Sequence, residues 1–313
     1  MTVDELVRRA RDGDHRAVAR LISMVENGGP ELRDIAAALA PYTGHATVLG
    51  LTGAPGVGKS TTTSALVTVY RQRGARVGVL AVDPSSPFTG GAILGDRVRM
   101  QQHATDDGVY IRSMSSRGNL GGLAAATPQA ARVLDAAGCD VVLVETVGVG
   151  QAEVAVASLA DTTLVLVAPG MGDAIQAVKA GVLEIADVFV VNKADRDGAD
   201  ATARDLRGML ALAHREPHDW RPPVLRLVAS RDEGIDDVLA ALDKHRAWLA
   251  EHGELSRRRR DRAAAEIEAI ALAALRDRID ARRHAAALDD LADAVVAGRL
   301  DPFTAADQVV ATL

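Results

Sequence analysis

The residues whose types and spacing could bind a ligand most directly form one glycine-rich run. In order they are Gly53, Ala54, Pro55, Gly56, Val57, Gly58, Lys59, Ser60 and Thr61. Four residues separate the first glycine from the Gly-Lys-Ser end, which is the spacing of a phosphate-binding P-loop. Glycine lets backbone N–H groups turn toward phosphate oxygens, the lysine can reach the β- and γ-phosphates, and the serine hydroxyl can bind Mg²⁺. The run therefore predicts a nucleoside triphosphate site rather than an ordinary strand-to-helix turn.

A second polar run, Asn192-Lys193-Ala194-Asp195, has the N-K-x-D order that is typical of guanine recognition. The Asp195 carboxylate can accept hydrogen bonds from the N1–H and N2–H₂ groups of guanine, an edge that adenine lacks. Asn192 would help to hold the base and its loop, and the stem of Lys193 would lie along the ring. Farther on, Ala229-Ser230 stands where a backbone N–H could contact guanine O6. GTP and GDP are therefore the predicted nucleotides.

Acidic residues at three places could serve the Mg²⁺ that accompanies such a nucleotide. Glu145 follows the apolar run 141–144 and is placed like a Walker B carboxylate, which holds the ion through its water shell. Asp83 follows the run 77–82, on a strand expected close to that of the P-loop, and could serve Mg²⁺ or the attacking water. Asp96 could support the ion from a loop, although a helix cap or turn is an equally good interpretation of that residue.

The residues after Glu145 predict slow intrinsic hydrolysis. Gly148 can present its N–H to the γ-phosphate, so that its loop would sense hydrolysis. The next residue is Val149, which cannot orient a water molecule as the glutamine of Ras-like enzymes does. Gln151 is close in sequence, but the sequence does not fix its geometry.

Seven apolar runs rich in β-branched residues must position these motifs. They cover residues 48–51, 77–82, 109–111, 141–144, 164–167, 188–191 and 224–228. Runs that are apolar throughout suit strands buried on both faces of a parallel sheet, and they alternate with longer helical or loop segments. The pattern predicts a doubly wound, mostly parallel α/β fold, in which ligands bind at the carboxyl ends of strands. The polar motifs follow the apolar runs, as this fold requires.

Helical patterns flank the α/β region and suggest three parts. These are an N-terminal helical extension at 1–43, a P-loop α/β domain at 44–250 and a C-terminal helical arm at 251–313, whose apolar stripe either packs back on the domain or pairs with another subunit. The composition argues against two classes of partner. A net charge of −6 and 3% aromatic residues argue against a nucleic-acid surface. No apolar run approaches the roughly 20 residues that span a membrane, and the acidic start lacks a signal-peptide core. We therefore expect a cytoplasmic protein with no membrane partner.

Together these motifs resemble the MeaB/ArgK family of P-loop GTPases, which belong to the SIMIBI class. The matching segments are 53–61, 83–86 with 89–100, 112–114 with 117–122, 145–151 and 192–195. The resemblance implies a GTPase chaperone that gates the loading of adenosylcobalamin into methylmalonyl-CoA mutase, protects the mutase and helps to reactivate it. It also implies that the mutase stimulates hydrolysis and that the C-terminal helices form a homodimer.

The same resemblance assigns switch regions to the chain. It places switch I at 83–99, switch II at 145–151 and a third switch at 173–179, where Asp173, Gln176 and Lys179 would contact the mutase. On this basis the predicted catalytic residues are Lys59, Asp83, Gly148 and Lys179.

Two other functions remain open from the residues. A nickel metallochaperone GTPase would carry Cys and His ligands near the nucleotide, whereas Cys139 stands alone in sequence and no His cluster accompanies it. A small-molecule kinase or transport-linked nucleotidase would use ATP, against which the motif at 192–195 argues. Competition between ATP and GDP for the site would separate these alternatives.

Overall fold

A computed structural model describes residues 1–83, 100–115, 126–146, 152–170, 183–212, 216, 218–283 and 287–311. The chain divides into two compact units, Met1–Leu255 and Ser256–Leu313. The first unit is a parallel sheet with helices on both faces, and the second is helical. Across the described ranges, no helix combines the length and the apolar character that a membrane span requires.

Within the described residues of the first unit, seven strands form one sheet. They are β1 (Thr47–Thr52), β2 (Val77–Asp83), β3 (Val109–Ser115), β4 (Val141–Thr146), β5 (Thr162–Val167), β6 (Val188–Asn192) and β7 (Val224–Leu227). Their order is β3-β2-β4-β1-β5-β6-β7, and every pairing is parallel. Each apolar run in the sequence is one of these strands, so the predicted doubly wound α/β fold is confirmed.

The strand order decides which strand ends are neighbours. β1 pairs with β4 on one side, where Leu51 is opposite Glu145, and with β5 on the other. β4 also pairs with β2, so it lies between β2 and β1. Glu145 therefore stands on the strand adjacent to the P-loop strand, and Asp83 stands on the next strand out, with β4 between β2 and β1.

Helices cover both faces of the sheet because alternate strand residues point in opposite directions. The helices of this unit are α1 (Val3–Arg11), α2 (His15–Asn27), α3 (Leu32–Leu39), α4 (Lys59–Gln72), α5 (Thr127–Ala136), α6 (Ala152–Leu159), α7 (Ala199–Leu212) and α8 (Ile235–Glu251), with shorter turns at Ala40–Tyr42, Gln101–His103, Leu183–Ile185 and Ala229–Arg231. Leu143 packs in the core under α4 and α8, whereas Val142 packs in the core under the N-terminal helices, α5 and α6. The helix α7 covers β5 and β6 with a third core cluster.

The N-terminal helices share a hydrophobic core with the sheet. Thr2 caps the start of α1, because its hydroxyl accepts a hydrogen bond from the Glu5 N–H at 3.3 Å. Leu21 and Ile35 are fully buried in that core. At the edge of the sheet, Arg112 on β3 forms an ion pair with Glu26 on α2.

The second unit consists of the greater part of α9 (Glu254–Arg283), followed by α10 (Ala287–Val296) and α11 (Pro302–Ala311). The carboxylate of Asp301 accepts the N–H of Phe303 at 2.9 Å and so caps α11, which begins at Pro302. Large apolar side chains stand exposed on α9, among them Ile267 at 69% and Leu272 at 58%. A surface of this kind is unusual unless something covers it.

Candidate nucleotide-binding site

The P-loop connects β1 to α4 and fits tightly between its neighbours. Gly53 has φ of 140°, and a Cβ there would lie 2.2 Å from the carbonyl oxygen of Leu166 on β5. Gly58 has φ of 97°, and a Cβ there would lie 2.3 Å from Nδ2 of Asn192. Because any side chain at either position would collide with the facing loop or strand, glycine is needed at both.

Lys59 is the first residue of α4, and its side chain folds back over the loop. Only 7% of the residue is exposed, and Nζ donates to the carbonyl oxygens of Gly53 at 2.8 Å and Ala54 at 3.1 Å. The ammonium group is thus held at the phosphate cradle by neutral acceptors. Phosphate oxygens would be stronger acceptors, because their negative charge adds a direct ionic attraction to the ammonium group.

Ser60, near the start of α4, is in direct contact with Glu145 on β4, the strand beside β1. The Ser60 hydroxyl donates to Oε1 of Glu145 at 2.5 Å, and the Thr63 hydroxyl donates to Oε2 at 3.0 Å. Glu145 is 4% exposed, and a buried carboxylate needs such donors. Hydroxyl and carboxylate oxygens are also the ligands that Mg²⁺ prefers, so this pair fits the predicted ion.

Thr63 is a contact residue that the sequence reasoning missed. It stands three positions after Ser60 on α4, and residues at that spacing lie on one face of a helix. Its Oγ1 lies 3.0 Å from Oε2 of Glu145 and 3.0 Å from the carbonyl oxygen of Lys59, so these two acceptors share its one proton. The spacing from the P-loop serine is the signal that could have found it.

Asn192 joins three loops at the carboxyl edge of the sheet. Its Nδ2 donates to the carbonyl oxygen of Val57 at 2.8 Å, and its Oδ1 accepts from the N–H of Ala229 at 3.1 Å. The residue is 2% exposed. Asn192 therefore couples the P-loop after β1 to the loops after β6 and β7, where the guanine motif and Ala229-Ser230 lie.

Lys193 reaches from the guanine motif to the P-loop. Its backbone is left-handed, with φ of 55°, which is uncommon for a residue with a side chain. Its Nζ donates to the carbonyl oxygen of Gly56 at 2.6 Å. The stem of Lys193 consequently spans the gap between the two loops, where a base ring would lie along it.

Asp195 stands on the turn after β6 and has an ionic partner. Its Oδ2 lies 3.0 Å from Nη2 of Arg231, and Nε of the same arginine lies 3.5 Å from Oε1 of Glu233. The sequence reasoning did not assign a role to Arg231. The Ala229 N–H is engaged by Asn192, so contact of Ala229-Ser230 with guanine O6 stays a prediction.

Several predicted residues lie outside the described part of the chain. They are Asp96, Gly148, Val149, Gln151, Asp173, Gln176 and Lys179. Asp83 closes β2 in the backbone, but its side chain is likewise outside the description. The roles proposed for these residues stay predictions.

Cys139 is buried, and burial raises the pKa of its thiol to about 12. A thiol held neutral in this way is a poor metal ligand, because metals bind the thiolate. Among the described residues, no group of three or more His, Cys, Asp or Glu side chains is arranged to hold a metal ion.

Comparison with known proteins finds relatives that are similar over most of the chain. A protein of Pyrococcus abyssi that is named as a GTPase is 47% identical over 310 residues, which cover 98% of this chain and 96% of the relative. The mouse protein named methylmalonic aciduria type A homolog, mitochondrial, is 34% identical over 277 residues, covering 82% of this chain and 66% of the relative.

A solved structure and a family model extend the comparison. The crystal structure of a LAO/AO transport system kinase aligns with a TM-score of 0.74 at 28% identity, covering 99% of this chain and 97% of that one. The family model described as methylmalonyl Co-A mutase-associated GTPase MeaB matches residues 18–284. That match spans the P-loop, Glu145 and the guanine motif, and the chain therefore belongs to the MeaB family of P-loop GTPases.

Proposed function

We propose that this GTPase hydrolyses GTP with Mg²⁺ in order to time the loading, protection and reactivation of an adenosylcobalamin-dependent methylmalonyl-CoA mutase. The observation that carries the hydrolytic part is the contact of Ser60 with the buried Glu145 at 2.5 Å. It joins the P-loop serine to the acidic strand end that P-loop enzymes use for Mg²⁺. The description of the family and the name of the mouse relative support the mutase as partner.

Different residues of the site would bind the phosphates, the Mg²⁺ ion and the base. Lys59 would exchange the carbonyl oxygens of Gly53 and Ala54 for phosphate oxygens, placing a positive charge where negative charge develops. Ser60 and Glu145 would hold Mg²⁺, which when bound neutralises phosphate charge. Asp195 would select guanine at the other end of the nucleotide.

The partner is tested by co-purification of the full chain with methylmalonyl-CoA mutase. We expect the complex to depend on the nucleotide, so capture is compared with GDP, with a non-hydrolysable GTP analogue and without nucleotide. The mutase should also raise the GTP turnover rate, because the sequence predicts a slow intrinsic rate. An unrelated acyl-CoA enzyme serves as the control protein. Absence of both capture and stimulation in every nucleotide state would overturn the proposed partner.

We also propose that the C-terminal helices form a homodimer. The exposed apolar residues Ile267, Ile270 and Leu272 on α9 support this, since such side chains are usually covered. Light scattering should give twice the mass of the 32.7 kDa chain. Replacing Ile267 and Leu272 by glutamate should give a monomer that still binds GDP, and a variant that stays dimeric would contradict this interface.

A further inference from the structure

We propose that Arg231 is a positioning residue for guanine, which holds the Asp195 carboxylate in the orientation that accepts the N1–H and N2–H₂ groups of the base. The inference rests on the proposed role of Asp195 in guanine recognition. It adds a residue outside the N-K-x-D motif to the determinants of nucleotide affinity.

The contact is specific and comes from two neighbouring loops. Nη2 of Arg231 lies 3.0 Å from Oδ2 of Asp195. The two residues follow β6 and β7, which pair directly, with Asn192 opposite Leu227. The Ala194 N–H donates to the carbonyl oxygen of Leu227 at 3.1 Å, which ties the guanine loop to the end of β7.

The backbone around Arg231 is held in place on both sides. The Val228 N–H donates to the carbonyl oxygen of Glu233 at 2.9 Å, closing a small loop that contains Arg231. Asp232 within this loop has a left-handed φ of 56°. A second carboxylate is near the same guanidinium, since Oε1 of Glu233 lies 3.5 Å from Nε. Arg231 thus extends from a closed loop and lies within ion-pair distance of two carboxylates.

The chemistry allows the arginine and the base to share one carboxylate. An ionised carboxylate has about four acceptor positions, so an ion pair with one guanidinium nitrogen near Oδ2 leaves positions for guanine on both oxygens. The guanidinium has no acceptor and cannot itself bind the guanine N–H groups. Its effect is to restrict rotation of the Asp195 side chain before the base arrives, which lowers the entropy cost of binding.

The direct test is the affinity of the full chain for GDP after Arg231→Ala. Both side chains are about half exposed, at 52% for Arg231 and 43% for Asp195, so the effect should be modest. We expect roughly two- to fivefold weaker binding, the range for exposed ion pairs. The KM for GTP should rise by the same factor with kcat unchanged, because the contact is equal in the ground and transition states.

Arg226→Ala is the matched control. Arg226 also pairs with an aspartate, since its Nη2 lies 2.7 Å from Oδ1 of Asp200, and its side chain is 52% exposed like that of Arg231. It stands on β7 and pairs with Asp200 rather than Asp195. We expect the GDP affinity of Arg226→Ala to match that of the parent chain. An equal loss of GDP affinity in Arg226→Ala and Arg231→Ala would overturn the assignment of Arg231.

A double-mutant cycle with Asp195→Asn separates this inference from the proposed guanine role. Arg231→Ala should have no further effect once Asp195 is neutral, and Arg231→Lys should restore part of the affinity by supplying a charge without the planar fork. If Asp195→Asn leaves GDP binding unchanged, the guanine role fails and the inference fails with it. If Asp195→Asn weakens GDP binding but Arg231→Ala leaves GDP binding unchanged or makes it tighter, only the inference about Arg231 is overturned.

Discussion

The side chain of Asn192 donates from Nδ2 to the carbonyl oxygen of Val57 at 2.8 Å, although 135 positions separate the two residues in sequence. One end of this bond lies in the phosphate loop and the other begins the guanine motif. The Oδ1 atom of the same side chain accepts the Ala229 N–H. A buried amide thus ties the P-loop, which is predicted to hold phosphate, to the loop that is predicted to recognise the base.

Asn192→Ala should both destabilise the folded protein and weaken its binding of GDP. The change leaves the Val57 carbonyl and the Ala229 N–H without this partner in a buried place, which costs about 1–3 kcal/mol for each unsatisfied group. Urea unfolding and GDP titration measure the two effects. Asn192→Asp keeps the acceptor for Ala229 but loses the Nδ2 donor, so it should retain the bond to the turn after β7 and lose the one to the P-loop. Unchanged GDP affinity in both variants would refute the coupling role.

Lys59→Ala should abolish GTP hydrolysis. The ammonium already lies at the P-loop, and without it no positive side chain of the loop meets the γ-phosphate. Single-turnover hydrolysis of GTP measures the effect. Lys244→Ala, an exposed lysine on α8, is the control and should hydrolyse GTP at the parent rate. Turnover that persists in Lys59→Ala would remove this residue from the mechanism.

Glu145→Gln should raise the Mg²⁺ concentration that half-maximal GTP hydrolysis requires. The amide keeps the size of the side chain, but it lacks the negative charge that faces Ser60. Residues that act on a metal through its bound water typically change metal affinity about 10- to 100-fold. Mg²⁺ titration of the hydrolysis rate is the measurement, with GDP binding in the absence of Mg²⁺ as a check that the base site is intact. An unchanged Mg²⁺ requirement would contradict the proposed ligand set.

The sequence predicted the strands well because their signal is local. The runs at 77–82 and 188–191 are apolar at every position, and β2 and β6 cover them with one further residue each, Asp83 and Asn192. Strand order is different, because it depends on packing between distant segments. The insertion of β4 between β2 and β1 therefore had to be observed, and it puts Glu145 rather than Asp83 beside the P-loop strand.

The candidate site likewise combines features that are visible locally in the sequence with contacts between distant segments that are not. The motif containing Asn192 and Asp195 is visible in four consecutive residues. The partner of Asp195 is not, because Arg231 comes from another strand end and matches no motif. The second hydroxyl on Glu145, from Thr63, follows from helix geometry only when the serine three positions earlier is already assigned.

The ion pair of Arg71 and Asp106 should make the stability of the protein depend on pH in the acid range. Nε and Nη2 of Arg71 donate to the two Asp106 oxygens at 2.9 and 2.8 Å, and this arginine holds the Asp106 pKa below its ordinary value of 3.8. A lowered folded-state pKa contributes stability above the unfolded value that disappears as pH falls through the folded value. Asp106→Asn should therefore be less stable than the parent near neutral pH, and the difference should shrink below about pH 4. Urea unfolding at both pH values measures it, and a constant difference would exclude this origin.

Gly50→Ala should destabilise the first unit by overpacking the contact of β1 with α6. A Cβ at Gly50 would lie 2.9 Å from Cγ2 of Val156 and 3.0 Å from Cβ of Ala160, so the helix must shift. Overpacking of this kind costs about 1–3 kcal/mol. Gly208→Ala is the matched control, because a Cβ on that glycine of α7 meets nothing within 4 Å and alanine favours a helix by about 1 kcal/mol. Urea unfolding should thus give a lower free energy of unfolding for Gly50→Ala than for the parent, and a higher one for Gly208→Ala. Equal stability of Gly50→Ala and the parent would show that the close packing of α6 on β1 does not depend on this glycine.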